Sequence, residues 1–135
     1  MAATFHLEIA TPERLLASVE VTEAQIPGKE GMLGILPEHA PLLSELGTGE
    51  LTYQTAEGRK RAVVSGGWLQ VMNNHVRVLA DRAEAADEVD LARAEKALKR
   101  AMERLNQTAD ANIDVARALN AMRRAEARIA CCRTR

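Results

Sequence analysis

The sequence predicts a two-part fold, an N-terminal antiparallel β-sandwich followed by a C-terminal α-helical hairpin. Three observations support this. All eight glycines and all four prolines precede residue 69. The same part alternates apolar and polar residues at period two, which is typical of half-buried strands. The C-terminal part instead repeats apolar residues every seven positions. The composition changes near residues 80–88, so we predict a sandwich at 1–86 and a hairpin at 87–135.

Short alternating segments supply the predicted strands of the sandwich. The first is TFHLEIA at residues 4–10, and ASVEV (17–21) and LTYQT (51–55) follow the same pattern. Many short strands with no helix between them favour an antiparallel sandwich or barrel. Within each segment, the residues expected to share one strand face are Phe5, Leu7 and Ile9, then Val19 and Val21, and then Leu51, Tyr53 and Thr55.

Turn-forming residues separate these segments. WLQVM (68–72) and HVRVLA (75–80) are joined by Asn73-Asn74, and asparagine tolerates positive φ, so we predict a tight hairpin there. Glycine-containing turns are also predicted at 27–31, 47–49, 56–58 and 66–67.

Two helices are predicted after the composition changes. We expect Asp87 to cap the first helix, with Glu88 and Asp90 in its first turn. The polar stretch 106–112 ends it, and a second helix is expected from about Ile113 with Asn112 as its cap. The seam residues are Leu91, Ala94, Leu98, Ala101 and Leu105 in the first helix, and Val115, Leu119, Met122 and Ile129 in the second.

The alanine content of both seams makes the hairpin weakly held, because alanines bury little apolar area. Isolated helices of this length are also marginal in water. We therefore expect the hairpin to depend on docking, and to be able to detach without unfolding the sandwich.

Composition narrows the functional class. An apolar content of 47% indicates a globular chain, and a net charge of −1 gives no reason to expect nucleic acid as a partner. Residues 1–86 hold 11 acidic and 7 basic residues, whereas residues 87–135 hold 8 and 11, so the two parts have net charges of opposite sign.

Cys131 and Cys132 are adjacent and bridge only with strain, so a disulfide framework is not expected and a reducing compartment fits. A membrane span and a signal peptide are not expected either.

Catalytic and metal sites find little support in the sequence. His6, His39 and His75 are widely separated, with no cysteine or acid at the spacing of metal ligands. His6 and His75 are interpreted as ordinary surface residues of strands. We expect no catalytic residue and no metal.

The stretch GMLGILPEHAPLL, residues 31–43, is apolar but interrupted by glycines and prolines. It fits neither a helix nor a smooth strand, because Pro37 and Pro41 cannot pair in a ladder. Leu42 and Leu43 are expected to return to the core. The segment is either a rigid structural corner or a docking surface with His39 as a polar contact.

Four segments in this order carry a family resemblance: GMLGILPEHAPLLSELGTGEL, SGGWLQV, VRVLADRAEAADEVD and LARAEKAL. They resemble the epsilon subunit of bacterial F-type ATP synthases over nearly the whole chain. The resemblance implies a sandwich of about ten strands and a helical hairpin. It implies a non-catalytic subunit, held peripherally at the cytoplasmic face of the plasma membrane through its complex and not by direct membrane contact.

The same resemblance implies partners and docking residues. The sandwich would bind the gamma rotor stalk and the ring of c-subunits. The hairpin would either fold on the sandwich or extend along gamma toward the alpha and beta subunits and obstruct ATP hydrolysis. The expected docking residues are Met32, Pro37, His39 and Pro41, and Met32 stands where many relatives carry an acid.

A nucleotide motif is also implied by resemblance. VDLARA, residues 89–94, is similar to the Ile/Leu-Asp-x-x-Arg-Ala motif through which some bacterial relatives bind ATP, with Val89 as the departure. Arg93 and Arg100 are seven residues apart, so they share one face of the first helix. Arg117, Arg124 and Arg128 are seven and four residues apart and share one face of the second. Guanidinium groups suit phosphate oxygens. The expected site comprises Asp90, Arg93, Arg100, Arg117, Arg124 and Arg128.

The ligand of this site would be regulatory Mg-ATP, while no cofactor is required. The alternative is a solvated basic face. At the level of the whole chain, the alternatives to a stalk subunit are a free-standing ATP-binding sensor module and a plain scaffold whose hairpin never moves.

Overall fold

Strands occupy the first part of the chain and helices the last. The computed structural model describes residues 3–107 and 114–133. Within them it has eight strands: β1 Phe5–Ala10, β2 Leu15–Val21, β3 Glu23–Gly28, β4 Gly31–Ile35, β5 Leu42–Glu45, β6 Thr48–Thr55, β7 Gly58–Met72 and β8 His75–Ala85. A 3₁₀ turn, Ala86–Glu88, then leads to helices α1 Leu91–Asn106 and α2 Val115–Arg133. The predicted β-sandwich followed by a helical hairpin is confirmed.

The two long strands β7 and β8 connect the layers of the sandwich. Because each of them takes part in both layers, eight strands are found where about ten were expected. The strand order is β2-β1-β8-β7-β6-β3-β4, and β5 also pairs with β7. The first half of β7 pairs with β6, whereas its second half pairs with β5. On its other side, residues 62–72 of β7 pair with the whole of β8. Each of these strands therefore serves both layers.

The glycine pair Gly66-Gly67 lies inside β7, so the turn predicted there is wrong. Both residues have positive φ, +71° and +109°. A Cβ added at Gly67 would lie 2.0 Å from the carbonyl oxygen of Leu79 on β8. The pair marks the point at which the neighbour of β7 changes from β6 to β5. It is a kink between the layers, and the close backbone approach requires glycine.

One strand pair departs from the predicted antiparallel pattern. β1 and β8 run parallel, with His6 opposite His75 and Leu7 opposite Val76. The other named strand pairs are antiparallel. This contact joins the first strand of the sandwich to its last.

The predicted hairpin between β7 and β8 is confirmed. Asn73 and Asn74 have φ of 52° and 61°, as the tight turn requires. The Asn74 side chain also accepts a hydrogen bond from the backbone N–H of Glu38 (2.8 Å) and donates one to the carbonyl of Thr4 (2.8 Å). This one side chain therefore ties the turn to the 36–41 loop and to the residue preceding β1.

The core of the sandwich is aliphatic apart from Phe5, and the alternation predicted for β1 and β6 is borne out at most positions. Val19 and Tyr53 are only partly buried but pack against this core. The largest fully buried side chains are Phe5, Leu7, Ile9, Ile26, Ile35, Leu51, Leu69, Val21, Val64, Val71, Val76 and Val78.

The helix starts differ from those predicted. Asp90, not Asp87, caps α1, and its side chain accepts a hydrogen bond from the backbone N–H of Arg93 (3.1 Å). Asp87 falls in the 3₁₀ turn because the chain must first leave β8. Helix α2 begins at Val115, and the Asp114 carboxylate accepts from the N–H of Arg117 (3.1 Å). The expected cap Asn112 and start Ile113 lie outside the described residues.

Alanines rather than leucines are the buried residues of α1. Ala94 and Ala101 are buried, and α2 buries Ala118, Ala125 and Ile129. Of the other predicted seam residues, Val115 is 42% exposed. The rest are half-buried: Leu91, Leu98, Leu105, Leu119 and Met122. Among the described residues, no helix is long and apolar enough to cross a membrane.

The hairpin is folded on the sandwich. Helix α2 contacts β6 and β7. Its C-terminal end packs in a small apolar cluster, and the thiol of Cys132 lies 3.7 Å from the carbonyl oxygen of Val89. We call this cluster the latch. Its buried members are Val63, Val89, Ala127, Cys131 and Cys132.

Candidate functional site

A cleft of ≈ 410 Å³ opens where the two helices meet the end of β8. We call it the helix cleft. Four of the six residues predicted for a nucleotide line it: Asp90, Arg93, Arg100 and Arg128. Small side chains leave the space between them, and these are Ala94, Ala97, Ala101 and Ala121.

The helix cleft is lined by both basic and acidic residues. Arg104 also lines it and was missed by the sequence analysis. The signal was present, because Arg93, Arg100 and Arg104 repeat at the seven- and four-residue spacing recognised in the second helix. Glu84 and Glu88 complete the lining. The cleft thus offers guanidinium donors together with carboxylate acceptors.

Two contacts hold charged groups of the cleft in place. The Arg128 Nε donates a hydrogen bond to Glu84 Oε1 (2.7 Å), which links α2 to β8. The Asp90 carboxylate is held by its capping bond to the N–H of Arg93 (3.1 Å). Both groups are therefore oriented by the folded position of the hairpin and by the start of α1.

The remaining two predicted residues do not line the helix cleft. Arg117 is exposed. Arg124 lines a neighbouring cavity of ≈ 750 Å³ beside the Gly66-Gly67 kink. Partial burial lowers the pKa of the Arg124 guanidinium and is the largest contribution. The nearby positive charges of Arg82, Arg128 and Arg117 lower this pKa further. These arginines are thus close enough to repel one another, and an anion placed among them would relieve that repulsion.

The predicted docking loop is only partly irregular. Its first five residues, Gly31–Ile35, form β4, so the expectation that this stretch makes no strand is wrong for them. Met32 and Pro41 are exposed, whereas Pro37 and His39 are half-buried. His39 Nδ1 donates to the carbonyl of its neighbour Ala40 (2.7 Å), so the imidazole also supports the loop itself.

Apolar side chains are exposed on the outer side of the neighbouring sheet layer. Leu43 was expected in the core but is 68% exposed, because it alternates with the half-buried Leu42 along β5. Trp68 lies directly opposite Leu79 in the β7–β8 pair, and both are 49% exposed. Paired positions share a face of the sheet. Leu43, Trp68 and Leu79 form what we call the outer apolar face, and the last two were missed by the sequence analysis.

His6 and His75 are surface residues of strands, as interpreted from the sequence, but the expectation that they are isolated is wrong. The β1–β8 register places them side by side, with ring centroids 4.9 Å apart. Glu8 lies next to both: its Oε1 is 3.0 Å from His75 Nε2 and 3.7 Å from His6 Nε2. One candidate ligand atom from each residue lies within 4.8 Å of the others. Only the parallel pairing of distant strands brings them together, so no local pattern could reveal it.

Comparison with known families gives two adjacent matches. Residues 4–86 match the family described as ATP synthase, Delta/Epsilon chain, beta-sandwich domain. Residues 87–131 match the family described as ATP synthase, Delta/Epsilon chain, long alpha-helix domain.

Individual relatives extend over nearly the whole chain. An ATP synthase epsilon chain of Solibacter usitatus is 51% identical over 131 residues, covering 96% of each chain. One of Syntrophomonas wolfei is 47% identical over 128 residues, covering 94% of this chain and 93% of the relative. In structure, a chain of the Euglena gracilis mitochondrial ATP synthase superposes with a TM-score of 0.80 at 23% identity, covering 93% of this chain and 79% of that one.

Proposed function

The chain belongs to the epsilon-chain family of ATP synthases, whose members are non-catalytic stalk subunits, and on that premise we propose that its hairpin regulates ATP hydrolysis under the control of bound Mg-ATP. The helix cleft is the observation that carries this proposal. It is built jointly by α1, α2 and β8, so it exists only while the hairpin is folded.

The chemistry of the helix cleft suits a nucleoside triphosphate. Arg93, Arg100 and Arg104 approach from one helix and Arg128 from the other. Guanidinium groups bind phosphate oxygens through paired hydrogen bonds. Carboxylates accept hydrogen bonds from hydroxyl and amino groups, so the acidic residues of the lining suit the nucleoside.

Bound ATP would favour the folded hairpin. An extended hairpin separates Arg128 from the arginines of α1, and the ligand then loses part of its site. A ligand shifts such an equilibrium by its differential affinity for the two states. At a ligand concentration about a hundred times the dissociation constant, the folded form gains about 2.7 kcal/mol. Released, the hairpin would extend toward the alpha and beta subunits and obstruct hydrolysis.

Calorimetric titration with Mg-ATP tests the nucleotide site. We expect binding to the wild-type chain and at least tenfold weaker binding to Arg100→Ala, since a hydrogen bond to a charged group contributes about 1.5–3 kcal/mol. Lys99→Ala is the matched control, because Lys99 precedes Arg100, is exposed and lies outside the helix cleft. Equal loss in both variants, or no binding to wild type at millimolar ATP, would contradict the proposal and favour a solvated basic face.

The exposed surfaces support a proposal for where two rotor partners would bind. We propose that the outer apolar face packs on the gamma subunit and that the loop bearing Met32, Pro37, His39 and Pro41 faces the c-subunit ring. Contiguous apolar surface on a soluble domain commonly marks an interface. The chain would then be held peripherally at the cytoplasmic face of the membrane through these partners. Family membership favours this stalk role over a free-standing sensor.

A further inference from the structure

We propose that His6, Glu8 and His75 form a binding site for a divalent transition-metal ion of the zinc class, on the outer side of the sandwich. The site is independent of the helix cleft and of any nucleotide. It consists of two imidazoles and one carboxylate, contributed by the first and last strands of the sandwich.

The sheet itself places the three side chains. His6 and Glu8 are two residues apart on β1, so they emerge on the same side, opposite the buried Phe5, Leu7 and Ile9. His75 is the register partner of His6 on β8. No loop movement is needed to bring the three groups together.

The distances are close to those of a metal site. Zinc–ligand bonds of about 2.0–2.2 Å in a tetrahedral arrangement put the ligand atoms roughly 3.4 Å apart. Glu8 Oε1 lies 3.0 Å from His75 Nε2 and 3.7 Å from His6 Nε2. The three candidate atoms all lie within 4.8 Å of one another. Side-chain rotation alone therefore closes the site around an ion.

A second carboxylate orients His6 in the manner of metal-binding histidines. His6 Nδ1 lies 2.9 Å from Glu20 Oε1 and so donates its proton there. That leaves the lone pair on Nε2, which lies 2.9 Å from the hydroxyl of Ser18. Ligating histidines usually donate their other N–H to such a carboxylate, which fixes the tautomer and raises the basicity of the ligand atom. The ion would replace the serine proton on Nε2.

The ligand set selects the class of ion. Imidazole nitrogens suit Zn²⁺, Co²⁺, Ni²⁺ and Cu²⁺, whereas Mg²⁺ and Ca²⁺ prefer oxygen ligands alone. One charged neighbour opposes the ion: Arg77 Nε lies 3.8 Å from Glu8 Oε2. Removing that positive charge should strengthen binding, a response that an adventitious surface histidine elsewhere would not show.

Titration of the full, untagged chain with Co²⁺ tests the site, because tetrahedrally coordinated Co²⁺ absorbs visible light. Added Zn²⁺ should then displace the bound Co²⁺ and remove the absorption. We expect visible absorption bands, and shifts of the ring resonances of both His6 and His75 in NMR spectra with Zn²⁺. His75→Gln should weaken binding at least tenfold, and Glu20→Gln about tenfold. Arg77→Gln should tighten it several-fold. His39→Gln is the matched control, because this histidine lies on the 36–41 loop and should leave binding unchanged.

The cysteines need separate treatment, because thiolates also bind these ions. Binding through Cys131 or Cys132 would produce thiolate-to-cobalt charge transfer and would be lost when both residues are replaced by alanine. Unshifted ring resonances of His6 and His75 at millimolar Zn²⁺, or equal binding by wild type and Glu20→Gln, would overturn the proposal even if His75→Gln proved unstable. Retention of binding in the double variant Cys131→Ala, Cys132→Ala, together with loss in Glu20→Gln, would support it.

Discussion

Arg14 and Glu88 form a bidentate ion pair that links the β1–β2 connection to the 3₁₀ turn preceding α1. The Nη1–Oε2 and Nη2–Oε1 distances are 2.8 and 3.0 Å. Glu88 Oε1 also accepts the backbone N–H of Ala85 at the end of β8 (3.1 Å). One carboxylate thus fixes the segment from which the hairpin emerges.

This ion pair should respond to pH. The hydrogen bond from Arg14, followed by that from the Ala85 N–H, lowers the pKa of Glu88. A lowered pKa in the folded state means that the contribution to stability is present above the ordinary value of about 4.3 and is lost as the pH falls through the folded value. In Arg14→Gln, the pKa of Glu88 should move back toward the ordinary value in a carboxyl NMR titration. An unchanged pKa would show that Arg14 does not hold the carboxylate in solution.

The Gly66-Gly67 kink should be intolerant of side chains. Gly67→Ala combines φ of +109° with a Cβ 2.0 Å from the carbonyl oxygen of Leu79, so we expect a loss of about 3 kcal/mol or more in the free energy of unfolding. Gly34→Ala is the control, because its Cβ meets only the movable Gln25 side chain, at 3.3 Å. Denaturant unfolding compares the two. Similar stability of both variants would mean that β7 and β8 separate easily at the kink.

The latch should control access to the cysteine thiols. Cys131 and Cys132 are 0% and 8% exposed, so the rate of reaction with a thiol reagent should be proportional to the fraction of molecules in which α2 has left the sandwich. Val63→Ala weakens the latch, and a loss of about 1.4 kcal/mol would speed labelling about tenfold. Val71→Ala is the control, since Val71 belongs to the sandwich core and should lower the melting temperature without speeding labelling. Equal acceleration by both would show that the thiols react only on global unfolding.

The outer apolar face should carry the contact with gamma. Trp68→Ala should weaken binding to a purified gamma subunit by about 2 kcal/mol or more, roughly 30-fold in Kd, because buried tryptophans are typical interface hot spots. Its effect on the unfolding free energy of the isolated chain should stay within about 1 kcal/mol, since the side chain is already half-exposed. Leu15→Ala changes an exposed apolar residue of β2, away from the hairpin and outside the outer apolar face, and should leave gamma binding intact. Unaltered binding by Trp68→Ala would move the interface elsewhere.

Periodicity allowed most elements to be predicted, but pairing between distant strands could not be. The alternation around Phe5 and Leu51 reports local burial, and both side chains are in the core. Nothing local distinguishes a glycine pair at a turn from one at a kink, because both need positive φ. The parallel partner of β1 is β8, the last strand of the sandwich in sequence, so the cluster of His6 and His75 could not be inferred.

The helix cleft was predictable to the extent that helical spacing determines it. Arg93 and Arg100 lie on one face of α1, and both line the cleft as that spacing implies. On α2 the same reasoning failed for Arg124. That helix packs against β6 and β7 as well as α1, so residues on neighbouring positions of the helix face different cavities.

The parallel pairing of β1 with β8 also constrains how the chain folds during synthesis. β1 and β2 form a local hairpin as soon as both have left the ribosome, but the other edge of β1 stays open until His75–Ala85 has been made. At typical elongation rates this takes on the order of several seconds. An open strand edge invites pairing with other chains. Nascent chains truncated before β8 should therefore be the aggregation-prone species, and the risk ends when the last strand takes its place.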